Sequence, residues 1–237
     1  MKRQRVDRMY GILDLESDMN HVVSQMTLLK CVIDDENSRT RVESVYIWIL
    51  DPVHYKTQRL LESVHEYQID KVTIRYTTID RALQDLCTLV TKNRYIPIVS
   101  HAHDRDIEAL VHTDRVLNGG FFREDGTAKS RVWERIERVC SQMLIRDMCP
   151  NYWEEYIRPR VPDTFCDCTL ETHVKLMFNR PQKHVSYDDC MDLFHLLRIL
   201  FRTDGPRTMT HLFKNVKGVH LIQHRHGGRT HRRDGHR

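Results

Sequence analysis

Residues 9–16 read MYGILDLE, apolar on both faces until Asp14, the pattern of a central strand covered on each side. Residues 22–33 and 42–50 are rich in strand-forming types, with the polar run DDENSRTR between them, where a turn is expected. These three segments predict an antiparallel meander. Residues 52–66 are ambiguous and suit a short helix. Over 79–92, Leu83, Leu86, Cys87 and Val90 fall on one stripe, which predicts a helix. Residues 95–100 (YIPIVS) predict a short buried strand, weakened by Pro97. A helix is expected from about Asp104.

Further along, 119–129 (GGFFREDGTAK) reads as a loop or mobile arm, 130–145 as a helix, and the proline-containing stretch 150–162 as a connection. Residues 163–168 predict a short strand leading into a helix over 169–178, and the last strong helix spans about 186–201. The order is three strands, helix, strand, helix, then strand and helix, which is a mixed-sheet α/β plan. One domain over 1–202 and a C-terminal extension over 203–237 follow from this. No internal repeat is visible. The end of the extension, HLIQHRHGGRTHRRDGHR, is poor in apolar residues and reads as disordered.

Composition changes this picture little. Hydrophobic content of 40% and charged content of 30% over 237 residues suit a soluble globular core. The formal charge of +4 is compatible with nucleic acid without indicating it. Its concentration at the C-terminal end says more, since a basic tail attracts phosphates in a salt-dependent way. Seven cysteines are scattered along the chain. Cys31 and Cys87 read as small buried hydrophobes, and only Cys166 and Cys168 are closely spaced. Without a C-x-x-C pair, a structural zinc site has little support, and a reducing compartment fits best. The charged N-terminus lacks a secretory apolar segment, and no apolar run approaches the roughly 20 residues that span a bilayer. An intracellular location, cytoplasmic or nuclear, with no membrane contact is therefore expected.

Three places carry candidate chemistry. Asp14 and Glu16 lie two apart on a predicted strand, so both carboxylates project from one face. Crowded like charges repel, and a divalent cation taking oxygen from both resolves the conflict. The plain alternative is a strand running into solvent. In the second place, His101-Ala-His-Asp-Arg-Asp106 follows the apolar YIPIV strand. Asp106 there falls in the first turn of a helix, where an acid also simply complements the dipole. The third is His184-Val-Ser-Tyr-Asp-Asp189. Asp189 shares a helical stripe with Leu193, Leu196, Leu197 and Leu200, and a carboxylate there needs a partner. Ser186 and Asp189 also read as an S-x-x-D capping box with Ser186 at the N-cap.

Taken in chain order, the three motifs are D-x-E at a strand end, H-x-x-x-x-D opening a helix after a later strand, and H-x-x-x-x-D opening a late helix. This pattern resembles the DEDDh branch of the DEDD 3′–5′ exonucleases, the family of polymerase proofreading subunits and oligoribonucleases, over roughly residues 8–202. The resemblance implies an RNase H-like mixed β-sheet, an antiparallel meander plus parallel strands flanked by helices. It implies that Asp14, Glu16, Asp106 and Asp189 hold two Mg²⁺ or Mn²⁺ ions, and that His184 is the general base. Two such ions about 3.5–4 Å apart activate a water and stabilise the departing oxygen, and an imidazole titrating near 6.5 suits the proton transfer. The implied partner is the 3′ end of DNA or RNA. Ala102 stands where the family usually has asparagine, which removes a side chain that helps orient the substrate end.

Two readings compete. His101-Ala-His103 also resembles the H-x-H of metal-dependent hydrolases, yet about a hundred residues precede it and Arg105 stands where a metallo-β-lactamase pattern wants aspartate. The other is a non-catalytic nucleic-acid-binding or interaction protein that retains the nuclease fold.

Overall fold

The computed structural model describes residues 8–34, 39–67, 69–92, 96–161 and 169–214. The expected strand over 163–168, the Cys166/Cys168 pair and the basic end of the chain lie outside the described residues.

The meander is present. Strands β1 (Arg8–Ser17), β2 (Val23–Asp34) and β3 (Arg39–Ile49) pair antiparallel in sequence. Helix α1 (Tyr55–Glu66) resolves the ambiguous 52–66 segment. It is followed by β4 (Val72–Tyr76), which pairs parallel with β3 at the sheet edge. Helix α2 (Ile79–Lys92) buries the expected stripe, Leu83, Leu86, Cys87 and Val90. Strand β5 (Ile98–Ser100) then pairs parallel with β1, and α3 (His103–Val116) leaves its C-terminal end.

The expected helix over 130–145 is a correction. A 3₁₀ turn at Trp133–Arg135 leads instead into β6 (Arg138–Cys140), and helix α4 (Ser141–Met148) starts only afterwards. Parallel pairing with β5 decides this, so a tertiary ladder overrides the helical look of the segment. The connection expected over 150–162 is also largely helical: α5 (Pro150–Tyr152) runs into a π-helical turn, Trp153–Ile157. Pro150 suits a first helical turn, where its missing N–H is no loss. Segment 119–129 is a loop, but a packed one. Phe121 and Phe122 meet Trp133 edge to face, with centroids 5.6 and 5.7 Å away. Asp114 accepts hydrogen bonds from the backbone N–H groups of both phenylalanines.

After α6 (Leu170–Phe178) comes α7 (Ser186–Leu212), with an interruption at Asp204 (φ −127°, ψ 33°) just ahead of Pro206. Buried Asp204 accepts from the N–H groups of Asn151 and Tyr152, satisfying donors at the start of α5 that the helix itself leaves open.

The six strands lie in the order β4-β3-β2-β1-β5-β6. An antiparallel meander joined through its first strand to parallel strands, with helices on both faces, is the RNase H-like α/β arrangement. Each face has its own core. Tyr10, Ile12, Leu29 and Ile47 pack with α7 and Tyr152 on one side. Leu13, Leu28 and Trp48 pack with α2, Leu110 and the Phe121/Phe122 loop on the other. Residues at even positions of β1 therefore face α7, and that alternation places Asp14 and Glu16.

Candidate metal centre

At the C-terminal end of β1 the even-numbered face changes from Tyr10 and Ile12, both fully buried, to Asp14 and Glu16. Helix α7 crosses this face. Cys190 sits at the contact with the sheet, its single thiol hydrogen shared between the carbonyls of Ile12 (3.6 Å) and Thr27 (3.4 Å). Asp189, one residue earlier, lies over the two β1 carboxylates. One oxygen each from Asp14, Glu16 and Asp189 lies within 4.8 Å of the others. Asp106 enters from the first turn of α3, which β5 aims at the same strand end.

Electrostatics mark the convergence. Burial pushes the Asp14 carboxyl well above the usual carboxylate range, and the nearby charges of Asp189, Asp106 and Glu16 push it further. Burial likewise raises Asp189 to about 8, aided by Glu16 and opposed by the Gln182 hydrogen bond. Asp106 is raised to about 7 by burial, with Glu16 adding to the shift and a hydrogen bond to Ser100 opposing it. Such crowding is unfavourable unless a cation answers it.

The N-terminal part of α7 shows by contrast which acids are answered. Asp188, Asp189 and Asp192 are all buried. Lys183 Nζ stands 3.0 Å from Asp188, and the guanidinium of Arg180 forks onto both oxygens of Asp192. Asp189 receives only a neutral amide, Gln182 Nε2 at 2.7 Å from Oδ2. Its Oδ1, Oδ2 of Asp14 and both oxygens of Asp188 are buried without a hydrogen-bond partner among the described residues; Asp188 differs in having the Lys183 ammonium beside it. Buried oxygens of this kind normally have partners, and all-oxygen donors suit a hard divalent cation. Asp14, Glu16 and Asp189 therefore form a group that could hold a divalent cation.

The other candidates sit as follows. His184 is exposed, on the segment just before α7, with a left-handed backbone (φ 54°), and is not one of the clustered ligands. His101 is buried, its Nδ1 2.8 Å from Ser141 Oγ, while His103 Nε2 pairs with its neighbour Asp104 at 2.9 Å. The two histidines of the H-x-H reading belong to no metal-binding group among the described residues. Ser186 is not the N-cap of α7. Val185 holds that position without a side-chain cap, and the Ser186 hydroxyl instead bonds Thr27 Oγ1 (2.7 Å) and Gln25 Oε1 (3.1 Å) on β2. Sequence reasoning missed Lys56, whose ammonium is paired with Glu16. The available signal was a lysine in the first turn of α1, a place that favours acids.

A scan against family models finds none that matches the chain, and a search of curated proteins finds no match either. Among solved structures the chain is similar to E. coli Exonuclease I in complex with a dT13 oligonucleotide. Identity is 15%, with 87% of this chain and 43% of that chain covered, and the TM-score is 0.49. This chain thus spans less than half the length of that exonuclease. Strand order, not this likeness, carries the fold assignment. No described helix is long and apolar enough to cross a membrane.

Proposed function

We propose that this protein is a metal-dependent 3′–5′ exonuclease that hydrolyses phosphodiester bonds of DNA or RNA. One observation carries the reading: Asp14, Glu16 and Asp189 converge within 4.8 Å while buried oxygens of Asp14 and Asp189 have no hydrogen-bond partner among the described residues. Asp106, from a separate element, lies outside that group, yet its charge acts on Asp14.

In this reading Asp14, Glu16 and Asp189 would hold one Mg²⁺ or Mn²⁺, and Asp106 would serve a second beside Asp14. The ions supply activation of the attacking water and charge stabilisation of the leaving oxygen. The protein's own part is to fix the geometry. β1 sets the spacing of Asp14 and Glu16, Cys190 seats α7 against the sheet, and Gln182 orients the Asp189 carboxylate. His184 is the general base that takes the proton from the attacking water. Its place on an exposed segment, whose Gln182 reaches Asp189, leaves the imidazole open to solvent, and hydrogen bonds of a catalytic base often form only with substrate present.

The test is incubation of wild type and Asp14→Ala with end-labelled DNA and RNA oligonucleotides in Mn²⁺, Mg²⁺ or chelator. The expected result is a ladder shrinking from the 3′ end, lost in the variant and with chelator. Oligonucleotides left intact under every condition but retained by the protein would move the assignment to a binding module.

A further inference from the structure

Within the carboxylate cluster the described structure holds one cation, and it belongs to the protein. Lys56 Nζ is paired with Oε2 of Glu16, an acid that also belongs to the candidate metal cluster. The pair is largely withdrawn from water, with side chains 16% and 10% exposed. Local structure does not explain the lysine. It lies in the first turn of α1, whose first turn has no acid and whose N-cap, His54, makes no side-chain cap. A positive charge there opposes the helix dipole. A tertiary contact must offset that, and Glu16, 40 residues away, provides it.

Resting on the metal-site reading above, we propose that Lys56 is a displaceable internal counter-cation: it occupies Glu16 in the metal-free protein and leaves that oxygen when a divalent ion binds. Glu16 has two oxygens, and Lys56 occupies Oε2, so the ammonium competes with an ion for that carboxylate. An ion on the cluster would also repel the neighbouring ammonium, so binding of the ion and retention of the Lys56–Glu16 pair oppose each other. Lys56 thereby keeps the cluster from collapsing apart in the absence of metal, and sets metal affinity lower than the carboxylates alone would give. It is a positioning residue acting through Glu16.

The full chain, wild type and Lys56→Met, Lys56→Gln and Lys56→Arg, is titrated with Mn²⁺ alone by calorimetry, with Asp14→Asn as a control. Lys56→Met and Lys56→Gln are expected to bind Mn²⁺ about two- to fivefold more tightly than wild type, the range of one lost ion-pair competitor, and Lys56→Arg to restore the weaker affinity. In wild type, amine-directed labelling of Lys56 read by mass spectrometry should rise several-fold on adding Mn²⁺, and not in Asp14→Asn. A merely structural lysine would leave Mn²⁺ affinity unchanged or weaken it on substitution, and either result overturns the proposal while leaving the metal site standing. Labelling that Mn²⁺ leaves unchanged or suppresses overturns it without any variant. If wild type and variants alike take up no Mn²⁺, the metal-site reading and this one fall together.

Discussion

Arg180 and Asp192 are joined across twelve residues by a two-pronged contact in which the guanidinium donates to both carboxylate oxygens. Asp192 is fully buried, while the Arg180 side chain is about one-third exposed (34%). Burial raises the carboxyl, and the arginine works against that rise. Arg180→Met leaves a buried acid unanswered. The cost of breaking a fully buried pair, about 3–5 kcal/mol, is reduced here because water can reach the arginine side, so about 2 kcal/mol is expected. Urea melts of Arg180→Met, Asp192→Asn and the double variant check this. The double variant should be more stable than Arg180→Met, and simple additivity of the two losses would show that the residues are not coupled.

Ser186 offers a test of docking against capping. Its hydroxyl reaches Thr27 and Gln25 on β2, and the residue is fully buried. Removing it strands two buried polar side chains, at about 1–3 kcal/mol. Ser186→Ala should therefore lower the denaturation midpoint, and Ser186→Asp should lower it more, since a buried carboxylate replaces a hydroxyl. A capping role would give the reverse order, because aspartate caps as well as serine. Chemical denaturation of the two variants separates the cases.

These two contacts show what the sequence made legible and what it did not. The meander, α2 and the stripe of α7 follow from local periodicity, because each buries a face set by its own spacing. The convergence of Asp14, Glu16 and Asp189 was readable because strand and helix geometry fixes where such residues point, whereas Asp106 lies outside that group. The capping-box signature of Ser186 is real as a pattern, yet β2 claims the hydroxyl. Strand β4 escaped notice because Ile74, Arg75 and Tyr76 are exposed at a sheet edge and show no buried alternation. β6 has three residues, and only its pairing with β5 makes it a strand. Lys56 was missed for the same reason: its partner lies 40 residues away, and no local rule names it.

Gly11 lies on β1 where side chains from both neighbouring strands, Ile98 of β5 and Leu28 of β2, press on the backbone. A Cβ there would stand 2.6 Å from Ile98 Cδ1 and 2.9 Å from Leu28 Cδ1. Both are side-chain ends, but both residues are buried and have little room to turn aside. Gly11→Ala is expected to cost about 1–3 kcal/mol through overpacking. Ile98→Val removes the offending methyl, so Gly11→Ala/Ile98→Val should recover part of the loss. Thermal melts of the single and double variants measure it, and a Gly11→Ala melt equal to wild type would refute the tight packing.

The carboxylate cluster dictates how stability follows pH. Asp189 is raised to about 8 and Asp106 to about 7, from an ordinary 3.8, with burial the leading cause for each; Asp14 moves the same way. The folded protein thus keeps protons that the unfolded chain has released above about pH 4. Where the native state binds more protons than the unfolded state, stability falls as pH rises. In chelator, Tm should accordingly decline from about pH 5 to pH 8 and level off above. Asp189→Asn, which cannot ionise, should flatten the decline. Mn²⁺ requires the deprotonated carboxylates, so its stabilising effect should be small at pH 5.5 and large at pH 8. Scanning calorimetry across this range, with and without Mn²⁺, reads all three effects. A chelated protein whose Tm climbs steadily from pH 5 to 8, unaltered by Asp189→Asn, would mean that these carboxylates are not crowded in solution.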